Sequence, residues 1–311
     1  MTKAHLRELP PGMDLWRTSE LNEAGFNARA IAALVRRGVL VRLRRGCYIR
    51  GSIWAGQKPW MRSRQLIAAH AHGTLTTSGG GLVYSHTSAA RLHRLFLWDV
   101  DDLVHITQKK TPSPISHGRD VVAHSRRLNE ADVVLVDGLQ CTSLEVTVVD
   151  CCLALNSRQA LILMDHALRI GADFARMEKM CVALAGRGGV LTLRRVLQNA
   201  DPRSESPGET LTRELLLRLR IEQPELQVEV RTVEGSHRLD FAWRSKKVAM
   251  EFDGRTKYFD YEPTDEVIFK ERQREKALTE LGWTFIRIKW RDLFQEHEFK
   301  NRVLRALHAA G

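Results

Sequence analysis

Asp240, Glu251 and Asp253 are the residues of this chain whose types and spacing point most directly to chemistry. The run Val248 to Asp253 (VAMEFD) reads as a strand ended by Gly254. With a side-chain period of two, Glu251 and Asp253 share one face while Val248, Met250 and Phe252 take the other. The preceding strand, His237 to Trp243 (HRLDFAW), returns through a Ser245-Lys246-Lys247 turn and brings Asp240 alongside. Carboxylates gathered in one small volume repel one another unless a cation neutralises them. An oxygen-rich set of this kind suits Mg²⁺ or Mn²⁺. Such a metal activates water and stabilises transition-state charge in phosphodiester hydrolysis. Lys257, just past Gly254, is placed to orient that water or to offset developing negative charge. The plainer alternative is an exposed hairpin carrying ordinary surface acids.

These acids need a frame, and the surrounding pattern supplies one. A helix over Glu209 to Gln223 carries Leu211, Leu215, Leu216 and Leu219 along one side. Glu209 falls in its first turn, where a carboxylate suits the positive end of the helix dipole. Val228 to Arg231 is a strand. After the acids comes a helix through Phe269, Lys270 to Lys276, Ala277 and Leu281, then Gly282, then a strand from Thr284 to Trp290. The order α-β-β-β-α-β is that of the PD-(D/E)XK nuclease core. Arg272 and Arg274, on the later helix, are suited to touch phosphate or to balance the acids; a salt-bridged helix surface is the alternative.

This region resembles the very-short-patch-repair-like endonucleases, within the restriction-endonuclease-like superfamily. The resemblance runs over about residues 204–295, through RLDFAW, VAMEFDGRTKY and KERQREKALTELGWTFIRIKW. It implies that Asp240 and Glu251 are the metal-binding acids and that Glu209 is the acid of the first helix. The superfamily often has Lys two residues after that Glu. Here the position is Asp253, and Lys257 would supply the cation from four residues further on. The departure leaves open a shifted lysine, a metal site without one, or an inactive fold that only binds nucleic acid.

At the other end of the chain, Thr18-Ser19-Glu20-Leu21 opens a short helix that Thr18 or Ser19 can cap. Gly25 breaks it, a second helix runs from Ala28 to Arg37, and Gly38 ends that one. Val39 to Leu43 and Cys47 to Ile49 then form a hairpin around Arg44-Arg45-Gly46. Helix, glycine turn, helix and basic hairpin is the order of a winged helix-turn-helix. Arg29, Arg36 and Arg37 lie on the second helix, and Arg42, Arg44, Arg45 and Arg50 on the wing. Guanidinium groups in this density suit duplex DNA, where phosphate contacts supply most non-specific affinity, and a basic wing tip can enter a minor groove. A solvated face used for protein contact is the alternative. The run LWRTSELNEAGFNARAIAALVRRGVLVRLRRGCYIRG resembles the N-terminal domain of AbiEi-type antitoxins of type IV toxin–antitoxin systems. That resemblance implies a transcriptional repressor with a cognate toxin as partner.

Between them, residues 58–203 alternate helix and strand patterns, and YSHTSAARLHRL and VDGLQCTSLEVTVVD resemble the remainder of AbiEi-like proteins. That resemblance implies a scaffold or partner-binding domain. Expected helices are Met61 to His72, Ser85 to Leu95, one opening at Thr142 to Glu145, and Ala160 to Ile170. Strands are expected at Leu103 to Thr107, Val121 to His124 and Val133 to Val136, with a glycine turn at Gly79 to Gly81 and a loop over Lys109 to Arg119. His86, His93, His105 and His124 invite a metal reading. None falls at HExxH or similar spacing, and His70 and His72 are two apart on different faces of a helix, so satisfied core or surface histidines are expected.

Charge divides the chain. Its formal net charge of +11 falls as +6 over residues 1–57, +5 over 58–203 and zero over 204–311. With Pro202 to Pro207 as a linker, the expectation is an α+β chain of three domains: winged helix (1–57), α+β middle (58–203) and restriction-endonuclease-like α/β (204–311). The apolar runs are far shorter than the ~20 residues of a membrane span. MTKAHLRELPPGMD holds no apolar leader, so a cytoplasmic location is expected. Five cysteines without CxxC spacing point to reduced thiols rather than bridges or a cysteine zinc site. Two functions follow. One is a DNA-binding AbiEi-like protein with a Mg²⁺- or Mn²⁺-dependent endonuclease domain. The other is a non-enzymatic repressor whose nuclease-like domain is a binding or dimerisation platform.

Overall fold

The computed structural model describes residues 9, 14–74, 82–108, 118–254 and 265–310. The chain is a mixed α+β protein that divides into two compact units, Met1–Cys151 and Cys152–Gly311.

In the first unit, β1 (Leu15–Arg17) leads into α1 (Thr18–Glu23), α2 (Ala28–Arg36) and the hairpin β2 (Leu40–Arg44) and β3 (Cys47–Arg50). The start of α1 differs from expectation: neither Thr18 nor Ser19 caps it. Glu20 instead reaches back, and its carboxylate accepts from the Arg17 N–H at 2.7 Å. Asn27 caps α2 by accepting from the Ala30 N–H at 2.9 Å. Gly46 sits at φ +78° in the hairpin turn, a left-handed conformation that favours glycine. The strand order is β1-β3-β2, all antiparallel. The two helices close over it through Trp16, Leu21, Phe26, Ile31, Leu34 and Leu40.

Next come α3 (Gly51–Gly56), α4 (Pro59–Thr74), β4 (Val83–Tyr84), α5 (His86–Leu92), β5 (Val104–Gln108), β6 (Val121–Ser125), β7 (Val133–Val136) and β8 (Leu139–Thr142). A five-stranded sheet of order β6-β5-β4-β8-β7 results. Ile67, Tyr84, Leu92, Val104, Ile106 and Cys141 form its core. The expected turn at Gly79 to Gly81 and most of the loop from Lys109 lie outside the described residues. Helix α6 (Leu144–Ala154) runs across the division between the units.

The second unit opens with α7 (Ser157–Arg169), α8 (Phe174–Ala183), α9 (Val190–Asn199) and α10 (Pro207–Arg218). The Ser/Pro run expected as a linker is packed instead: Ser204 is buried and accepts from Arg213 Nε at 3.2 Å. Helix α10 stops at Arg218, short of the expected Gln223, because Arg220 turns left-handed at φ +54° and Pro224 disfavours helix before it. Then follow β9 (Glu225–Thr232), β10 (Gly235–Trp243), β11 (Val248–Phe252), α11 (Asp265–Glu280), β12 (Thr284–Ile288) and α12 (Glu296–Ala309). The strand order is β12-β11-β10-β9. Strands β9, β10 and β11 form an antiparallel meander, and β12 lies parallel to β11 after the α11 crossover. Val228, Leu239, Ala249, Leu278 and Trp283 fill the core.

All five cysteines are buried and free. No helix of the described residues is long and apolar enough to cross a membrane.

Candidate acid cluster and basic surface

Three of the sequence-singled acids meet electrostatically. Asp240 stands on β10, Glu251 on β11 and Glu209 in the first turn of α10. Ser206 caps α10 by accepting from the Glu209 N–H at 3.2 Å, and that cap sets where the Glu209 side chain leaves the helix. A Cβ at Gly208 would stand 1.9 Å from the Phe252 ring, so only glycine lets the start of α10 approach β11 this closely. Glu209 is 7% exposed and Glu251 also 7%. At such burial an uncompensated carboxylate is costly, so its partners decide what it can do.

Each acid has a different set of partners. Glu209 accepts from the Glu205 N–H and from Gln227 Nε2, both at 2.9 Å. Burial nevertheless pushes its carboxyl above the usual range. Asp240 accepts from the Phe252 N–H at 3.1 Å. Burial first, and then the charge of Glu209, push its pKa up to about 6. Glu251 is bound by Arg274, which donates from Nη2 to one oxygen and from Nη1 to the other at 3.4 Å. Arg287 stands 3.6 Å away and also pairs with Glu275 at 2.8 Å. Burial still raises the Glu251 carboxyl, and the nearby Asp240 charge adds to that. Arg274 also donates to the Arg238 carbonyl at 2.9 Å, which ties α11 to β10. Arg274 thus balances the acids; Arg272 is exposed.

Asp253 is half-buried, one residue beyond β11, and its N–H donates to the Ile288 carbonyl at 2.7 Å, extending the β11–β12 ladder. Lys257 lies outside the described residues.

The arginines of the first unit divide in two. Arg29, Arg36, Arg37, Arg42 and Arg45 are exposed. Arg44 is half-buried, with Nε 3.3 Å from the Asp120 carboxylate. Arg50 is half-buried and donates to the Leu9 carbonyl at 3.4 Å. Five guanidinium groups therefore stand toward solvent on α2, its C-cap and the hairpin, while Arg44 reaches Asp120 beyond the module and Arg50 ties the hairpin to Leu9 within it.

The histidines that the sequence treats as isolated are not all so. His93 is half-buried with its Nε2 on the Thr142 carbonyl at 2.8 Å, and the buried His70 meets the Tyr84 hydroxyl at 2.9 Å. His86, His105 and His124 instead gather, with one ring nitrogen of each within 4.8 Å of the others; among the described residues this is the only set of three His, Cys, Asp or Glu that does so. Strand alternation was a usable signal for His105 and His124. What the sequence did not carry was that β5 pairs with β6.

No family model matches the chain. Two uncharacterized proteins of Mycobacterium tuberculosis, MT2308 from strain CDC 1551 and Rv2248 from strain H37Rv, are each 29% identical to it over 163 residues. The matched stretch is 52% of this chain and 59% of theirs, so the chain spans about three-fifths of the length of these relatives. Among solved structures, the RV2827C protein of Mycobacterium tuberculosis is similar at a TM-score of 0.38 and 17% identity, over 70% of this chain and 83% of that one.

Proposed function

We propose that this chain is a cytoplasmic DNA-binding protein of AbiEi-antitoxin type with a restriction-endonuclease-like domain over residues 204–311 that hydrolyses phosphodiester bonds. Its first helices and hairpin act as a winged helix-turn-helix, and a cognate toxin is its implied protein partner. The observation that carries the enzymatic part is that Glu209 and Glu251 are buried, Asp240 is half-buried, and the charge of Glu209 acts on Asp240 and that of Asp240 on Glu251. A hard divalent cation would offset both the burial of these acids and the smaller repulsion between them. Asp240 and Glu251 would hold Mg²⁺ or Mn²⁺, with Asp253 as a further acid at the strand end. The ion, when bound, would supply water activation and charge stabilisation.

The chain's own residues have roles beside it. Without the ion, burial and then the charge of Glu209 keep the Asp240 carboxyl basic enough to exchange a proton near pH 6. Arg274 holds Glu251 in its rotamer and carries positive charge to the rim of the cluster. Arg29, Arg36, Arg37, Arg42 and Arg45 supply phosphate contacts that place the duplex. Arg44 and Arg50 steady the hairpin that presents them.

One observation favours a second reading, a non-enzymatic repressor. Glu251 already has its charge answered by Arg274 and Arg287, and Asp253 stands where the superfamily often has lysine. Plasmid nicking with Mg²⁺ or Mn²⁺, run beside Glu251→Ala, separates the two. Nicking by the wild type that the variant loses supports the hydrolase. Intact operator binding with no nicking by either supports the repressor.

A further inference from the structure

His86, His105 and His124 come from three elements that the fold brings to one edge of the five-stranded sheet. β6 is the edge strand and β5 its neighbour, paired parallel with Thr107 opposite His124. Residues 105 and 107 share a face by the period of the strand, so His105 and His124 project to the same side. His86 opens α5, and that turn is fastened to β5 at His105 itself. The Ser85 N–H donates to the His105 carbonyl at 3.0 Å, and the His105 N–H donates to Ser88 Oγ at 2.8 Å. His86 holds φ at +49°, an unfavourable left-handed conformation for a side-chain-bearing residue, and this directs its ring at the other two.

The nitrogens have a specific arrangement. His86 Nδ1 lies 3.0 Å from Ser85 Oγ, which leaves its Nε2 available. His105 Nε2 is buried with no hydrogen-bond acceptor within reach, and the Asp101 carboxylate lies 3.7 Å from it. His105 Nδ1 and His124 Nε2 are 2.9 Å apart. When the His105 proton sits on Nε2, facing Asp101, its Nδ1 is an acceptor: His124 donates to it if protonated on Nε2, and the two nitrogens present lone pairs to each other if His124 is protonated on Nδ1. The contact is then closed by the His124 proton, or by a cation in its place. The rings of His86 and His124 stack at 3.6 Å, and those of His105 and His124 at 5.2 Å. Burial lowers the basicity of all three; at His105 the Asp101 carboxylate works against that and Arg91 with it.

We propose that His86, His105 and His124 form a binding site for a late divalent transition metal, Zn²⁺ by preference. Three imidazoles without a ligating carboxylate suit Zn²⁺ and not Mg²⁺ or Ca²⁺. Asp101, 3.7 Å behind His105 Nε2, is placed to close into the carboxylate–histidine pairing that fixes a ligand's tautomer and raises its basicity. Arg126, two residues from His124, and Arg91, beside His105, are nearby opposing charges, and their pairings with Asp150 and Asp102 compensate them. Binding would turn the rings out of their stack so that the three lone pairs converge, with a fourth position open at the sheet edge. This site is separate from the acid cluster of the second unit and does not depend on it.

The test uses the full chain. The purified protein is stripped with chelator, dialysed against Zn²⁺ or Mg²⁺ and assayed for bound metal. Expected is one Zn²⁺ per chain and no stoichiometric Mg²⁺ at this site. His124→Gln, on the edge strand, should lose at least tenfold in Zn²⁺ affinity. Asp101→Asn should lose about 10–100-fold. His308→Gln, at an exposed histidine of α12, should change nothing. Co²⁺ substitution adds a readout at the ligands: visible d–d bands in the wild type that His124→Gln loses. Far-UV circular dichroism of the metal-stripped proteins keeps loss of fold apart from loss of ligation, with His105→Asn as a second variant. The proposal is overturned if the folded wild type retains no Zn²⁺, or if retained Zn²⁺ survives both His124→Gln and His105→Asn; a shared proton then accounts for the cluster.

Discussion

The two ends of the chain handle charge in opposite ways. On α2 and the β2–β3 hairpin, five arginines stand in water, where a charge costs little and stays available to a partner. Around β10 and β11, two acids are buried and a third half-buried, and they must be answered from within by Arg274, Arg287, Gln227 and backbone donors. The first arrangement is tolerant, since any guanidinium on that surface can meet a phosphate. The second is intolerant, because the removal of one partner leaves a buried charge alone. Net charge sees only the first: +6 over residues 1–57 against zero over 204–311.

The largest expected effect breaks the intolerant side. Asp165 is buried in the second unit and receives Arg213 Nη2 at 2.6 Å, Thr210 Oγ1 at 2.8 Å and the Asp201 N–H at 2.8 Å. Asp165→Ala strands the Arg213 guanidinium and should cost about 3–5 kcal/mol in urea unfolding. A cost below about 1 kcal/mol would mean that water reaches Arg213 and that the contrast with the exposed arginines is overdrawn.

Asp240 sharpens the comparison through pH. Its folded pKa, about 6, lies above its ordinary 3.8. The folded state therefore binds the proton more tightly than the unfolded one between those values. This contribution is full below pH 4 and is lost as pH rises through 6. Asp240→Asn should stabilise the protein at pH 7 by about 1–3 kcal/mol and gain nothing at pH 4. Thermal melts across that range check the sign; an equal gain at both pH values would remove burial of the charge as its source. If Asp240 and Glu251 hold Mg²⁺, millimolar Mg²⁺ should raise the wild-type Tm at pH 7 but not that of Asp240→Asn.

The smallest expected effect on stability, with the clearest effect on binding, belongs to the arginines. Arg42→Ala with Arg45→Ala should shift unfolding by less than about 0.5 kcal/mol per site. The same pair should weaken duplex DNA binding and lower the salt slope by about 0.9 for each phosphate that is no longer neutralised. An unchanged slope would take the hairpin out of the interface.

The order of elements at both ends was legible because short-range signals carry it. Gly25, Asn27, Gly38 and Gly46 mark the helix ends and the hairpin turn, and alternation puts Glu251 apart from Met250 and Phe252. The departures have local causes that the pattern does not register. Glu20 displaces Thr18 and Ser19 as the cap of α1, and Arg220 ends α10 early. The run 202–207 has linker composition, yet Ser204 is buried and Ser206 caps α10. Helices α8 and α9, the strand β8 and the C-terminal α12 go beyond the sequence expectation, although each of the three helices buries one apolar side.

What the sequence determined by itself was local: where the backbone turns, which face of each strand is apolar, and which acids and arginines exist to be used. Only the tertiary structure decided their partners. It set Arg274 on Glu251, Glu209 beside Asp240, Asp120 beside Arg44, and His105 against His124 across strands that no spacing rule joins. Side-chain direction follows from a few neighbouring dihedrals, whereas the partner of a buried charge depends on which distant strands pair, and that choice rests on the packing of the whole core.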